Sequence, residues 1–192
     1  GAITIFGNSS KPAVTNVTNS IFGGNHSGYG GAIANYYGGN LDIQNSSFTG
    51  NYVSGGRGGA VGNYQYGTIN VYGSTFISNY TTGNLTASQS NGGGAVYNFA
   101  YSGSSSSGTY NSVLNIYNSL TSPTTATKFE FNTATSSNGG ALENIAVTAF
   151  NVSSTNSSSV ADVSYNYNGT KIATTSIYGG TEFTSNSATN GG

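Results

Sequence analysis

The stretch Gly30-Gly31-Ala32-Ile33-Ala34-Asn35 recurs as Gly58-Gly59-Ala60-Val61-Gly62-Asn63, Gly93-Gly94-Ala95-Val96-Tyr97-Asn98 and Gly139-Gly140-Ala141-Leu142-Glu143-Asn144. A second signature alternates with it: Phe22-Gly-Gly-Asn25, Phe48-Thr-Gly-Asn51, Phe76-Ile-Ser-Asn79, Phe129-Glu-Phe-Asn132 and Phe183-Thr-Ser-Asn186. Strict alternation of two signatures is the mark of a repeat architecture. The chain opens on Gly1-Ala2-Ile3 and closes on Asn190-Gly191-Gly192. Setting the end of one copy against the start of another would therefore write the first signature a fifth time. Five repeats are expected, with the cut inside a motif and no capping repeat, so that 1–192 forms one unit open at both ends.

Between the two signatures lie short runs of period two, Leu41-Asp42-Ile43-Gln44, Ile69-Asn70-Val71-Tyr72 and Leu114-Asn115-Ile116-Tyr117. Two aliphatics on one face and two polar or amphipathic groups on the other read as a strand with one buried face. Asn45-Ser46, Gly73-Ser74 and Asn118-Ser119 follow as turn residues. Each repeat thus predicts three strands, too few to bury an apolar face alone but enough when copies stack. Stacking in register aligns Ile3, Ile33, Val61, Val96 and Leu142, and a second column of Phe22, Phe48, Phe76, Phe129 and Phe183. The expected fold is all-β: a right-handed parallel β-helix of five coils, with an axial length of about 24 Å at about 4.8 Å per coil.

The asparagines acquire a role in this geometry. At strand corners, Asn35, Asn63, Asn98 and Asn144 can pass side-chain amide hydrogen bonds along the axis, and Asn25, Asn51, Asn79, Asn132 and Asn186 form a second ladder. The first repeat departs from the pattern, carrying Ile5 at the position of the first ladder. Repeats four and five are longer; Tyr101 to Asn111, Thr121 to Lys128 and Ile145 to Thr175 are expected to leave the solenoid as loops or hairpins, features that in solenoids often gather on a binding face.

Paired Gly-Gly-Ala-Ile and Phe-x-x-Asn signatures resemble the repeats of the chlamydial polymorphic membrane proteins and of other adhesin-like surface proteins. The resemblance covers all five repeats. It implies secretion, surface display, and adhesion or self-association.

Composition narrows the function. Charged residues make up 5% of the chain, against about 25% in ordinary domains, while the 15 Tyr and 9 Phe argue against disorder. A net charge of −1 supplies no field for nucleic acid. No apolar run reaches the ~18 residues of a membrane helix, and zero Cys excludes disulfides and thiolate chemistry. The carboxylates Asp42, Glu130, Glu143, Asp162 and Glu182 fall at different repeat positions, whereas paired-acid hydrolysis needs two facing one sugar. Lys128-Phe129-Glu130 reads as a solvated ion pair and Asp42 as a solvated sheet edge. His26 has no partner ligand at metal spacing. No catalytic, cofactor or metal site is expected, and the chain reads as non-enzymatic. A carbohydrate-active β-helix enzyme would require some of Asp42, Glu143, Glu182 and Arg57 to converge in one groove, and ice binding would need flat Thr-x-Thr ladders that are absent.

Tyr36, Tyr37, Tyr64, Tyr66, Tyr72, Tyr97 and Tyr117 are expected at corners or outward positions, where they either stiffen the sheet or contact glycans or proteins. Asn-x-Ser/Thr sequons stand at Asn8, Asn16, Asn25, Asn45, Asn79, Asn84, Asn151, Asn156 and Asn168, each a glycan acceptor on a secreted chain. The leading expectation is a subunit or tandem cassette of an extracellular or cell-surface fibre, whose partner is itself, joined through Gly191 and Gly192 to Gly1, Ala2 and Ile3. The alternative is an adhesin segment that binds glycans or surface proteins through its long insertions.

Overall fold

The computed structural model describes residues 1–8, 10–82, 92–100, 110–122, 124–146, 150–154, 161–165 and 171–190. Equivalent strands of successive repeats pair in parallel and build four sheets of five strands each, a parallel β-solenoid. The first sheet contains Ile3–Phe6, Ile33–Tyr36, Val61–Gln65, Val96–Ala100 and Leu142–Ala146. The second contains Val14–Thr18, Asn40–Gln44, Thr68–Tyr72, Tyr110–Tyr117 and Lys171–Ile177. The third carries the phenylalanines, in Ile21–Gly23, Ser47–Thr49, Thr75–Ile77, Lys128–Glu130 and Glu182–Thr184. The fourth follows the Phe-x-x-Asn corner, in His26–Tyr29, Tyr52–Arg57, Tyr80–Thr82, Thr133–Asn138 and Ser187–Asn190. A repeat therefore has four strands, one more than alternation predicts. The inward positions of the added strand are Ser27, Val53, Thr81, Ala134 and Ala188, which share register but not residue type.

The core lies inside the coil. Ile33, Val61 and Val96 stack as expected, with Ile3 above and Leu142 below in register, and meet Leu41, Ile43, Ile69, Val71, Leu114 and Ile116 from the second sheet. The phenylalanine rings form a column with centroids 4.8 to 4.9 Å apart and planes within 6° of parallel. That spacing is the strand separation itself. Phe48, Phe76 and Phe129 are fully buried.

Two corner positions need glycine for different reasons. The first glycine of the signature is left-handed, with φ of 56°, 69°, 66° and 61° at Gly30, Gly58, Gly93 and Gly139. At the second, a Cβ on Gly31, Gly59 or Gly94 would run into the carbonyl oxygen of Gly59, Gly94 or Gly140 in the next repeat. The residue before each asparagine of the Phe-x-x-Asn signature is also left-handed: Gly24, Gly50, Ser78, Phe131 and Ser185 have φ between 53° and 61°. Three of these five carry a side chain, at a local penalty of about 1 kcal/mol each.

The insertions obey the stack more than expected. Lys128 is not inserted but opens a strand of the third sheet. Ser119 to Ala126 is what separates Asn118 from Thr127, and Thr127 occupies the corner that Ser74 holds in the preceding repeat. Ile172 to Thr175 likewise belong to the second sheet, paired with Asn111 to Leu114. Within the long insertion, Phe150–Ser154 and Ala161–Tyr165 pair antiparallel as a hairpin. Residues 101–109 lie outside the described residues.

The two kinds of glycine should respond differently to substitution. A Cβ on Gly50 meets no atom within 4 Å, so Gly50→Ala is expected to cost only the left-handed penalty of about 1 kcal/mol in urea unfolding. Gly59→Ala forces apart the backbones of adjacent repeats and is expected to cost well over about 3 kcal/mol. Equal losses would show that the second glycine is not a contact position.

Candidate functional site

The corners are held by polar ladders that use nearly every hydrogen-bonding valence. In the outer ladder the Oδ1 of each asparagine accepts both the backbone N–H and an Nδ2–H of the preceding one: Asn25 to Asn51 at 3.0 and 2.8 Å, Asn51 to Asn79 at 3.0 and 3.0 Å, Asn79 to Asn132 at 3.0 and 3.0 Å, and Asn132 to Asn186 at 3.0 and 2.9 Å. The other Nδ2 proton of Asn51, Asn79, Asn132 and Asn186 goes back to the carbonyl of Phe22, Phe48, Phe76 and Phe129. Asn51, Asn79 and Asn132 are fully buried, where an unpaired amide would cost several kcal/mol.

The inner ladder runs from Asn35 to Asn63 to Asn98 to Asn144, at 2.9, 2.7 and 2.7 Å. Its amides also bond the carbonyls of Gly39, Gly67, Ser112 and Ala173. It ends at Ile5, which pairs in register with Asn35 and leaves Asn35 Oδ1 buried without a hydrogen bond. The turn residues that follow the second-sheet strands form a third ladder. Ser20, Ser46 and Ser74 donate their backbone N–H to the hydroxyl oxygens of Ser46, Ser74 and Thr127. Only the coincidence of Ser at one repeat position could have signalled it, and the insertion after Asn118 disguises the Thr127 member.

On the outer wall Tyr72, Tyr117 and Tyr178 stack face to face at 4.9 and 4.7 Å, so Tyr117 has a ring on each face, while Tyr178 at the end of the stack is exposed. Beside them Asp42 accepts from Asn70 at 2.7 Å and Asn70 from Asn115 at 2.9 Å. Asp42 is thus tied into a surface column instead of being a free sheet edge. Tyr64 and Tyr97 correct the expectation of outward exposure: both are buried, in a second apolar layer with Ala34 outside the first sheet. Two segments that lead into Gly-Gly-Ala corners, through Tyr29 and Arg57, lie over this layer. Tyr29 meets Tyr64 edge to face at 5.5 Å. The Arg57 guanidinium lies 5.4 Å from the Tyr97 centroid and 5.0 Å from that of Phe99. Tyr64 donates its hydroxyl to the Arg57 carbonyl at 2.7 Å. Burial pushes the phenol of Tyr36 up to about 12, and it raises those of Tyr64 and Tyr97 as well.

The ionisable side chains are dispersed. Asp42 is on the second sheet and Glu143 on the first, while Lys128 and Glu182 pair at 2.8 Å on the third, an ion pair between repeats in place of one with Glu130. No group of three metal-ligating side chains gathers among the described residues, and no helix among them is long and apolar enough to cross a membrane. Of the sequons, Asn8, Asn16 and Asn45 are exposed and Asn25 is half-buried. Asn79 is corrected: both of its Nδ2 protons are committed inside the wall, and a glycan must replace one. Asn84, Asn156 and Asn168, together with the side chain of Asn151, lie outside the described residues, as do Gly191 and Gly192 of the expected interface and the side chain of Asp162.

The candidate site is the pair of solenoid edges. Among the described residues no strand lies beyond the first repeat or beyond the fifth in the four parallel sheets. At the first edge Phe22 is only partly buried and Phe6 is 63% exposed; at the far edge Phe183 is 43% exposed. Compared with known proteins, the chain matches no family model, no curated protein and no solved structure.

Two outcomes follow from the ladders. Ile5→Asn, ordinarily a core lesion, is expected to stay within about 1 kcal/mol of the parent because Asn35 Oδ1 gains a donor, whereas Asn63→Ala strands the Asn98 Oδ1 that accepts from it and the Asn35 Nδ2 proton that it accepts, and costs at least about 2 kcal/mol; urea unfolding of both compares them directly. Unfolded tyrosines ionise near pH 10, while Tyr36 in the fold holds its proton to about 12. The folded state therefore binds more protons in that window, and stability is full below about pH 10 and falls as pH rises through about 12. Urea midpoints and tyrosinate absorbance measured together check this; a midpoint unchanged up to about pH 12 contradicts it.

Proposed function

We propose that this chain is a structural element of an extracellular or cell-surface β-solenoid fibre, and that copies of it stack end to end. The observation that carries the reading is the polarity of the outer asparagine ladder. Every step donates from repeat to following repeat, so the two edges carry opposite unmet valences: Asn25 Oδ1 at the first, and the Asn186 backbone N–H with one Nδ2 proton at the fifth. Joining them repeats the interior geometry, with Asn186 donating twice to Asn25 Oδ1 and Asn25 Nδ2 donating to the Phe183 carbonyl. Phe183 then stacks on Phe22 and extends the ring column. Reversing one copy sets donors against donors, so the joint is heterologous and propagates as a filament.

The surface supports a structural role in another way. Sugar recognition by aromatic rings uses their faces, and the inner faces of the Tyr72, Tyr117 and Tyr178 stack are spent on one another, with both faces of Tyr117 covered. Sequons at the exposed Asn8, Asn16 and Asn45 and the resemblance of the paired signatures to surface-protein repeats fit display outside the cell. Whether the units are joined covalently or by contact, the joint has the same chemistry.

Electron cryo-microscopy of the concentrated chain tests the reading. The expected result is unbranched rods with an axial repeat near 24 Å, five strand spacings of about 4.8 Å. Rods of single-unit length at every concentration would overturn it.

A further inference from the structure

Three tyrosines of successive repeats share one column on the outward face of the second sheet. Tyr72 and Tyr117 are register partners in the third and fourth repeats, and Tyr178 follows Ile177, the partner of Ile116, in the fifth. Their rings lie 4.9 and 4.7 Å apart, with planes 10° and 3° from parallel. Because the strands run parallel and in register, each ring carbon lies one strand spacing, about 4.8 Å, from the same carbon of its neighbour. Partial burial, then Asp42 and Tyr117, hold the Tyr72 phenol above its ordinary value, and partial burial followed by Tyr178 does the same at Tyr117. Adjacent hydroxyls thus feel one another, and Tyr72 and Tyr117 keep their protons at neutral pH.

The column is also accessible. Tyr178 is 45% exposed, and Tyr72 and Tyr117 are half-buried. Tyr52 and Tyr80 form a shorter stack of the same kind on the fourth sheet, at 4.9 Å and 4°, whereas Tyr64 and Tyr97 are tilted by 34° and buried. Composition supplies an independent observation. The chain carries 15 Tyr but no Cys, Met or Trp. Thiols and thioethers, which oxidants otherwise consume, are therefore missing, and a one-electron oxidant arriving at this wall meets phenols as the most readily oxidised groups.

We propose that the Tyr72, Tyr117 and Tyr178 column is a site of oxidative cross-linking, at which a haem peroxidase and hydrogen peroxide join two neighbouring phenols as dityrosine. Each phenol gives up one electron and its hydroxyl proton, and the peroxide takes both pairs and leaves as two waters. The two phenoxyl radicals couple through the ring carbons beside their oxygens. Each coupled carbon then releases its hydrogen as a proton while its oxygen takes one back, so the product is the two tyrosines less two hydrogens. Exposed Tyr178 is the point of entry, and the stacked rings pass the radical inward. Coupling requires the rings to hinge edge to edge, which side chains on the outer wall can do and rings packed in the core cannot. The bond ties the fourth repeat to the third or to the fifth, closing the loops that carry the long insertions. A chain without cysteine has no disulfide to do this. The inference goes beyond the fibre reading and does not depend on it.

Peroxidase and hydrogen peroxide added to the dilute chain test the site, with Tyr52→Phe in place throughout so that the shorter stack is silent. The expected product is a monomer that has lost two hydrogens and shows dityrosine fluorescence. Its digest is expected to join the Tyr117 peptide to that of Tyr72 or Tyr178, and its urea midpoint to rise above that of the unoxidised chain. Adding Tyr117→Phe keeps a ring in the stack, as the phenylalanine column does, but removes the central phenol. Tyr72 and Tyr178 are then two strand spacings apart, about 9.6 Å. This variant is expected to retain the parent's far-ultraviolet circular dichroism, to lose both links and to show no rise in midpoint on oxidation. Links scattered over other tyrosines, links formed only between chains, or an oxidised chain without dityrosine would overturn the proposal and leave the fibre reading as it stands.

Discussion

A buried corner amide must find its partner one strand spacing away, and the rest of the wall is arranged to keep that spacing constant. Backbone pairing sets an axial rise of about 4.8 Å, the phenylalanine rings stack at 4.8 to 4.9 Å, and the asparagine amides meet at 2.7 to 3.0 Å. A repeat that widened to admit a Cβ at Gly59, or narrowed at a vacancy in the Phe column, would break all three together. This shared dimension explains why residue identity is strict at four or five places per repeat and loose elsewhere.

The same constraint accounts for the scarcity of charge. In a parallel in-register stack every side chain faces its own equivalent, and like charges about 4.8 Å apart repel by roughly 1 kcal/mol per neighbour even in water. A repeated sequence therefore cannot repeat a charge. Those present avoid their own kind: Asp42 is flanked in its column by Asn16 and Asn70, and Lys128 pairs with Glu182. The low charge content is thus a property of the stacking and carries no information about a ligand.

This explains which features were legible. The first-sheet strand, the Phe column and both asparagine ladders were readable because each depends on one residue type at one position. The fourth sheet was not, since its inward positions accept Ser, Val, Thr or Ala, any small group that fits beside the corner. Burial of Tyr64 and Tyr97 was hidden for another reason: alternation correctly turns them outward, and it is Tyr29 and Arg57, from earlier repeats, that cover them. The shifted insertion boundaries have a similar origin. Thr127 can replace Ser because the ladder asks only for a hydroxyl oxygen, so the chain resumes its register earlier than its lettering suggests.

Ladder polarity gives the rod a direction that backbone pairing alone would not enforce, and the two asparagine columns treat the joint differently. The outer column can run from Asn186 into Asn25 without interruption, whereas the inner one meets Ile5, which offers neither donor nor acceptor. Under end-to-end stacking the joint therefore carries the ring column, the backbone ladders and one amide column, while the interior carries two amide columns. Asn35 Oδ1, buried and unbonded beside Ile5, is the point within the chain where that column stops. If copies stack as proposed, that level is also where units would part before they unfold, and apolar Ile5 meets either a neighbour's core or solvent at less expense than an unpaired buried amide.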